Sequence, residues 1–345
     1  MHTSFTWRPL LRRTVVGLFL GLVVTTLASC DLSGDDTAGP KAGPLQTINI
    51  GRLICGGHLP LAIVEKRFQD QLKSFQLHTI QNHDWNDVIA DMESGKLAGT
   101  FILSPLAMNL IRKGFPGRIV LMANRNGNGF VLSSKIKSVA ALRDTRRIIA
   151  VPHIYSQHNV LLHMVLEQHG VPLDNITVLG MPPRDMINSL RNGEIDGFVV
   201  GEPEANKSVS MGVGWMATIS PQIWKDHMDH VFLAANSFIA EQPENLQALV
   251  DQLVRSGEFI ENNPHQAAVI GEEYTGSSAA IFEKVLTTPP DWISYTNMVA
   301  SETDLAEMAK RLVDMNLWPD VPDNLAKDYL DMSFAISAER RMRNQ

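Results

Sequence analysis

Cysteine is scarce in this chain. The 345 residues include two, Cys30 and Cys55, too few for a disulfide framework or for a zinc site built on cysteines. No Lys/Arg-rich block exists either. The 30 Lys and Arg residues stand against 37 Asp and Glu, a formal charge of −7, so nucleic acid is excluded as the main partner. One long apolar run, residues 14–28, is present, which excludes a polytopic membrane fold. A Gly-x-Ser-x-Gly elbow, a Walker loop and the Rossmann glycine fingerprint are all missing, and with them the commonest sequence marks of hydrolases and nucleotide sites. Charged residues make up 19% and apolar ones 44%, which excludes a disordered chain. What remains is a globular composition with length enough for two lobes.

The apolar run reads as an address. It follows Arg8, Arg12 and Arg13, is short for a membrane span and ends in small residues, the pattern of an export signal. Leu27-Ala28-Ser29-Cys30 resembles a bacterial lipobox. That resemblance implies cleavage before Cys30, diacylation of its sulfur, and stable anchoring by acyl chains. Removing residues 1–29 takes away three arginines and no acid, and moves the charge from −7 to −10. Asp31 after the cysteine implies retention at the inner membrane, on the pattern of enterobacterial lipoproteins. Residues 30–46, rich in Gly, Pro and Asp, read as a flexible tether. The expected location is the periplasmic face of the cytoplasmic membrane.

The folded part alternates strands and helices. Strands are expected at 47–53, 77–80, 99–103 and 118–123, then at 147–151, 176–179, 195–200 and 231–235. Helices are expected at 60–72, 84–92 with Asp84 as cap, 104–113 with Ser104 as cap, 156–169, 183–191 and 202–211. The remainder reads as helical: 243–262, 264–274, 278–286, 301–315 and 324–343, with Ser301-x-x-Asp304 as a capping box. Repeated βα units imply parallel sheets covered on both faces. The turn-rich Asn124–Gly129 stretch marks a crossing between lobes. The expected domains are 47–128 with 233–345 as lobe I, and 129–232 as lobe II. Ligands bind outside the carboxyl ends of such strands, which points to the loops at 55–60, 83–85, 104–105, 152–158, 181–183 and 201–203.

Several of those loops open helices, whose free N–H groups and dipole favour an anion. Ser156, Gln157 and His158 stand at one such start and Pro183 at another. Trp85 follows a strand, where an indole N–H can line a cleft and donate to an anion. Histidine is plentiful, at 11. His227 and His230 are three apart, a chelating spacing, yet no His-Glu-x-x-His motif surrounds them. No metal and no cofactor is expected.

The segment Gly56-Gly57-His58-Leu59-Pro60-Leu61-Ala62-Ile63-Val64 resembles the first strand-to-helix loop of nitrate/sulfonate/taurine-type periplasmic receptors. Met181-Pro182-Pro183-Arg184-Asp185-Met186 followed by residues 193–203, and residues 223–232, resemble the nitrate- and bicarbonate-binding subfamily of ABC importers. The resemblance spans roughly residues 47–275. It implies an α/β, type II periplasmic-binding-protein fold: two α/β lobes around a hinged central cleft. It further implies a small anion as ligand (nitrate-like, bicarbonate-like or sulfonate-like), permease and ATPase partners, no catalysis, and a monomer. Trp85 and His158 match the family's anion-facing Trp and His. Pro183 matches its Pro-Pro loop, and Asn126 and Asn128 its hinge. His58, Ser156, Gln157 and Glu202 complete the expected ligand-binding set with His230. At the position of His230 the nitrate receptors have Lys and the bicarbonate receptors a Glu that goes with a metal. Met228 replaces the family's Pro. An imidazole is neither a permanent cation nor a carboxylate, though once protonated it pairs with an anion. A sensor feeding a histidine kinase and a receptor for a neutral heterocycle such as a hydroxymethylpyrimidine are the alternative functions.

Overall fold

A computed structural model describes residues 45–344, and these form one compact unit. The export signal, Cys30 and nearly all of the tether lie outside the described residues.

Alternating burial along β1 (Gln46–Arg52) and β2 (Phe75–Gln81) and full burial of β3 (Gly99–Leu103) build one side of the molecule. β4 (Gly117–Met122) follows. A two-residue strand, β5 (Arg125–Asn126), leads into β6 (Asn128–Leu132). Next come β7 (Arg147–Val151), β8 (Ile176–Gly180), β9 (Gly197–Gly201) and β10 (Trp215–Ile219). β11 (His230–Ala235) returns to the first side, and β12 (Ile293–Ser294) pairs with β5. The two five-stranded sheets have the orders β2-β1-β3-β11-β4 and β10-β6-β9-β7-β8.

Each sheet is mixed where repeated βα units had implied a parallel one. β11 runs antiparallel to both β3 and β4, and β6 antiparallel to β9 and β10. These two strands are the first to follow each crossing. They enter their sheet from the neighbouring one, without a crossover helix to bring them in parallel.

The helices that matter for the site follow strands. Asp84 caps α2 (Trp85–Glu93), its carboxylate accepting the N–H groups of Asn86 and Asp87. Ser156 caps α4 (Gln157–Gln168) through the Asn159 N–H. Between them lies α3 (Ser104–Arg112), and here the expected Ser104 cap fails. Ser104 is already helical, and its hydroxyl donates to the Met228 carbonyl. The expected helix over 60–72 is broken as well. A 3-10 turn (Gly56–His58) leads into α1 (Leu59–Ile63), then a π turn (Val64–Phe68) and another 3-10 turn. The irregularity lets one segment fill two cores: Leu61 and Val64 pack under the first sheet, while Leu59, Ile63 and Phe68 pack against C-terminal helices. α5 (Pro183–Asn192) and α6 (Glu204–Ser210) follow β8 and β9.

The crossing at 124–129 is pinned from outside. Asn126 has φ +59, a left-handed conformation that Asn tolerates, and its Nδ2 donates to the Asp291 carbonyl. Arg125 makes a two-pronged ion pair with Asp304 at 2.7 and 3.1 Å. The capping box at Ser301 and Asp304 forms as expected. The expected 324–343 helix is two, Leu325–Tyr329 and Ser333–Arg343. Between them Leu330 bridges to Ile119 and the Asp331 N–H donates to the Ile119 carbonyl, extending the sheet edge at the expense of helix.

Candidate functional site

Loops from both sheets meet at a buried nest of rings. His58, one residue before α1, lies 5.3 Å from the His230 ring and 6.1 Å from Trp85, and Trp85 lies 5.8 Å from His230. Two glycines allow this. A Cβ on Gly57 would collide with the His230 ring, and one on Gly56 with the Glu202 carbonyl, which the Gly56 N–H reaches at 2.9 Å. The first-sheet loop and the β9 end therefore touch backbone to backbone.

Asp229 organises the nest from below, just before β11. Its backbone is fixed by the Ser104 N–H on its carbonyl. Its carboxylate accepts from Asn124 Nδ2 at 2.7 Å, Asn128 Nδ2 at 3.0 Å, His230 Nδ1 at 2.8 Å and Gln157 Nε2. The residue is 1% exposed. Burial alone would raise its carboxyl, but the imidazoles around it, His230 foremost, hold it well below the usual range. Burial likewise works against a charge on His230. Asp229, with the Cys55 sulfur, outweighs burial and pushes the imidazole up to about 10, so the ring is a cation at neutral pH. His158 is different. Burial lowers it to about 3 despite Asp229, so it is neutral. His227 is neutral too, because burial lowers it. Its Nδ1 donates to the Trp224 carbonyl and its Nε2 accepts from Asn128 Nδ2. The chelating pair suggested by the spacing of His227 and His230 does not form, since each ring is committed to a different partner.

Four ring nitrogens of the nest lack partners: Trp85 Nε1, His58 Nε2 and both nitrogens of His158. The Leu53 N–H donates to His58 Nδ1 at 3.0 Å. The neutral ring therefore carries its proton on Nε2, as a donor. Above the nest a cavity of about 350 Å³ opens between the two sides, lined by Leu53, Cys55, His83 and Trp85 on one and Pro183, Arg184, Glu204 and Lys207 on the other. Arg184 Nη1 meets His83 Nδ1 at 3.2 Å across its mouth.

The structure thus brings together His58, Trp85, His158, His230, Gln157 and Asn128. Pro183 sits on the cavity wall. Ser156 serves as the α4 cap, Asn126 holds the crossing, and the Glu202 carboxyl binds Asn206 through its N–H and Nδ2, both at 3.0 Å. Sequence reasoning passed over Asp229, Asn124 and Cys55. The His-x-x-His spacing at 227–230 drew attention to the histidines and away from the acid between them.

Cys55, which sequence reasoning gave no role, stands with His58 and His230, each offering a donor atom within 4.8 Å of the others. Cys55 Sγ lies 3.8 Å from His230 Nε2, a spacing two ligands of one ion adopt. His58 does not fit that set. A metal-ligating histidine donates its far N–H, whereas His58 accepts there.

The family model that matches this chain is the NMT1-like family, over residues 41–272. The chain belongs to the NMT1-like family. Its match to the nitrate/nitrite binding protein NrtA of Synechocystis is 23% identical over 246 residues, 65% of this chain and 55% of that protein. Three curated nitrate-import relatives are matched over 36% to 55% of their own length. In the crystal structure of the periplasmic nitrate-binding protein NrtA from Synechocystis the fold recurs at a TM-score of 0.80, covering 87% of this chain and 90% of that one at 18% identity. The ligand-binding component of an ABC-type import system from Staphylococcus aureus, solved with zinc bound, superposes at 0.78 over 86% of this chain and 99% of its own, at 21% identity. The desulfurization enzyme DszB shares the fold at 0.64, 15% identical, over 86% of this chain and 100% of its own. The NMT1-like chain therefore has the periplasmic-binding-protein fold expected from its sequence, with homology to solute-binding components of import systems. No helix among its described residues is long and apolar enough to cross a membrane.

Proposed function

We propose that this protein is the lipid-anchored solute-binding component of an ABC importer. It closes residues 47–128 with 233–345 and residues 129–232 over a small anion, and delivers that ligand to a membrane permease driven by an ATPase subunit. It works as a monomer on the periplasmic face of the cytoplasmic membrane and performs no chemistry on its ligand. The observation that carries the reading is the pair of buried, unpartnered donors, Trp85 Nε1 and His58 Nε2, beside the charged His230 ring. Buried N–H groups without partners are costly, and a bound acceptor relieves that cost. Calorimetry with candidate anions tests it: Trp85→Ala and His158→Ala are each expected to weaken binding about tenfold without unfolding the protein. Unchanged affinity in both variants refutes the placement of the ligand.

One observation favours a second ligand class within the same role. The positive His230 is balanced by Asp229, and His58, His158 and His227 are neutral. The nest has no net charge, which suits a neutral heterocycle as well as an anion held by hydrogen bonds alone.

A further inference from the structure

We propose that the ligand brings its own hydrogen-bond donors: it carries N–H or O–H groups beside its acceptor atoms, and is not a proton-free oxyanion such as nitrate. This deepens the receptor reading above and rests on it.

The argument starts at Asp229. An ionised carboxylate only accepts, at about four lone-pair sites, and four donors occupy it: the side-chain NH2 groups of Asn124, Asn128 and Gln157, and His230 Nδ1. Amide orientation is normally open to a flip. Here it is settled, because an amide oxygen cannot face a carboxylate. The oxygens Asn124 Oδ1, Asn128 Oδ1 and Gln157 Oε1 must point away, and all three are buried without a partner. The three residues are at most 1% exposed, so bulk water does not serve them. Only a donor satisfies them.

Two of these features border a common space. A methyl group on Gly201 would lie 3.6 Å from His158 Nε2 and 3.7 Å from Asn128 Oδ1, with nothing nearer. The missing side chain leaves room where an acceptor and a neutral imidazole converge. Trp85 Nε1 and His58 Nε2 supply donors elsewhere in the nest. Asn128 Oδ1 beside this space, with the Trp85 and His58 donors, asks for a ligand with both kinds of group. Nitrate offers acceptors only. It would meet the indole and His58 but leave the amide oxygens unmet and set like partial charges against them. Bicarbonate has the same planar shape and charge plus one hydroxyl.

The test uses matched pairs on purified full-length protein at pH 8, titrated calorimetrically: bicarbonate against nitrate, and sulfamate against methanesulfonate. The expected result is that the hydrogen-bearing member of each pair binds at least about tenfold tighter. Gln157→Met is expected to erase that preference, whereas mere loosening of the fold would weaken both members alike. Nitrate or methanesulfonate binding as tightly as its partner overturns the inference and leaves the receptor reading standing. Absence of binding by all four, and by 4-aminopyrimidine as a neutral probe, overturns the receptor reading and this inference with it.

Discussion

A buried imidazolium is stable only while its counter-charge is present. His230 and Asp229 are both within 2% of full burial, and their bond at 2.8 Å holds the ring protonated. The folded ring binds its proton more tightly than the unfolded one, whose pKa is 6.5. Its contribution is fully present below pH 6.5 and is lost as pH rises through about 10. Asp229→Asn removes the counter-charge, frees the ring to deprotonate and strips three amides of a strong acceptor. The expected outcome is a loss of roughly 3 kcal/mol at pH 7, measured by urea unfolding. The decline in melting temperature between pH 6.5 and 10 should be shallower in the variant than in the parent. Little of this was legible in the sequence. Asp229 acts through Asn124, Asn128 and Gln157, which lie 105, 101 and 72 positions away, and no local pattern couples them.

Secondary elements were easier to read where a cap or a period marks them. Asp84, Ser156 and the Ser301 box each begin a helix as their spacing requires. β10 left no such mark. It is an edge strand of intermediate burial along most of its length, so neither alternation nor an apolar run announces it. Helix α6 begins later than expected because Glu202 and Pro203 remain outside it, with the Glu202 carboxyl turned back onto Asn206. Burial raises that carboxyl to about 8, so it is protonated in the fold at neutral pH. A raised folded value means that its stabilisation is complete below the ordinary 4.5 and lost as pH climbs through about 8. Glu202→Gln supplies a permanently neutral amide. Melting curves should show the variant gaining on the parent between pH 4.5 and 8; a constant difference across that window refutes the assignment.

The two-sided architecture was the most legible level, since alternating βα units and the Asn-Gly crossing announce it before any coordinate does. The mixed direction of the sheets was not, because it depends on how β6 and β11 enter rather than on their composition. Gly56 lies against the Glu202 carbonyl, where the proposed closure would bring the two sides together. Small-angle scattering should show compaction on adding a bound ligand. Gly56→Ala, whose methyl would strike that carbonyl, should bind the same ligand at least about tenfold more weakly and fail to compact. Equal compaction in both proteins would show that the two sides do not meet there.

Of the four donors on Asp229, Gln157 alone comes from the start of α4, on the far side of the cleft. Separation of the two sides would pull that amide away, and with it Asn128, which pairs with Gly201 at the start of β6, while Asn124 and His230 stay. The freed corner of the carboxylate would then take up water, as would the Gln157 amide. Opening this protein is in that sense a wetting event, and its ease should follow the activity of water: osmolytes that dry the cleft would favour the shut form even with nothing inside.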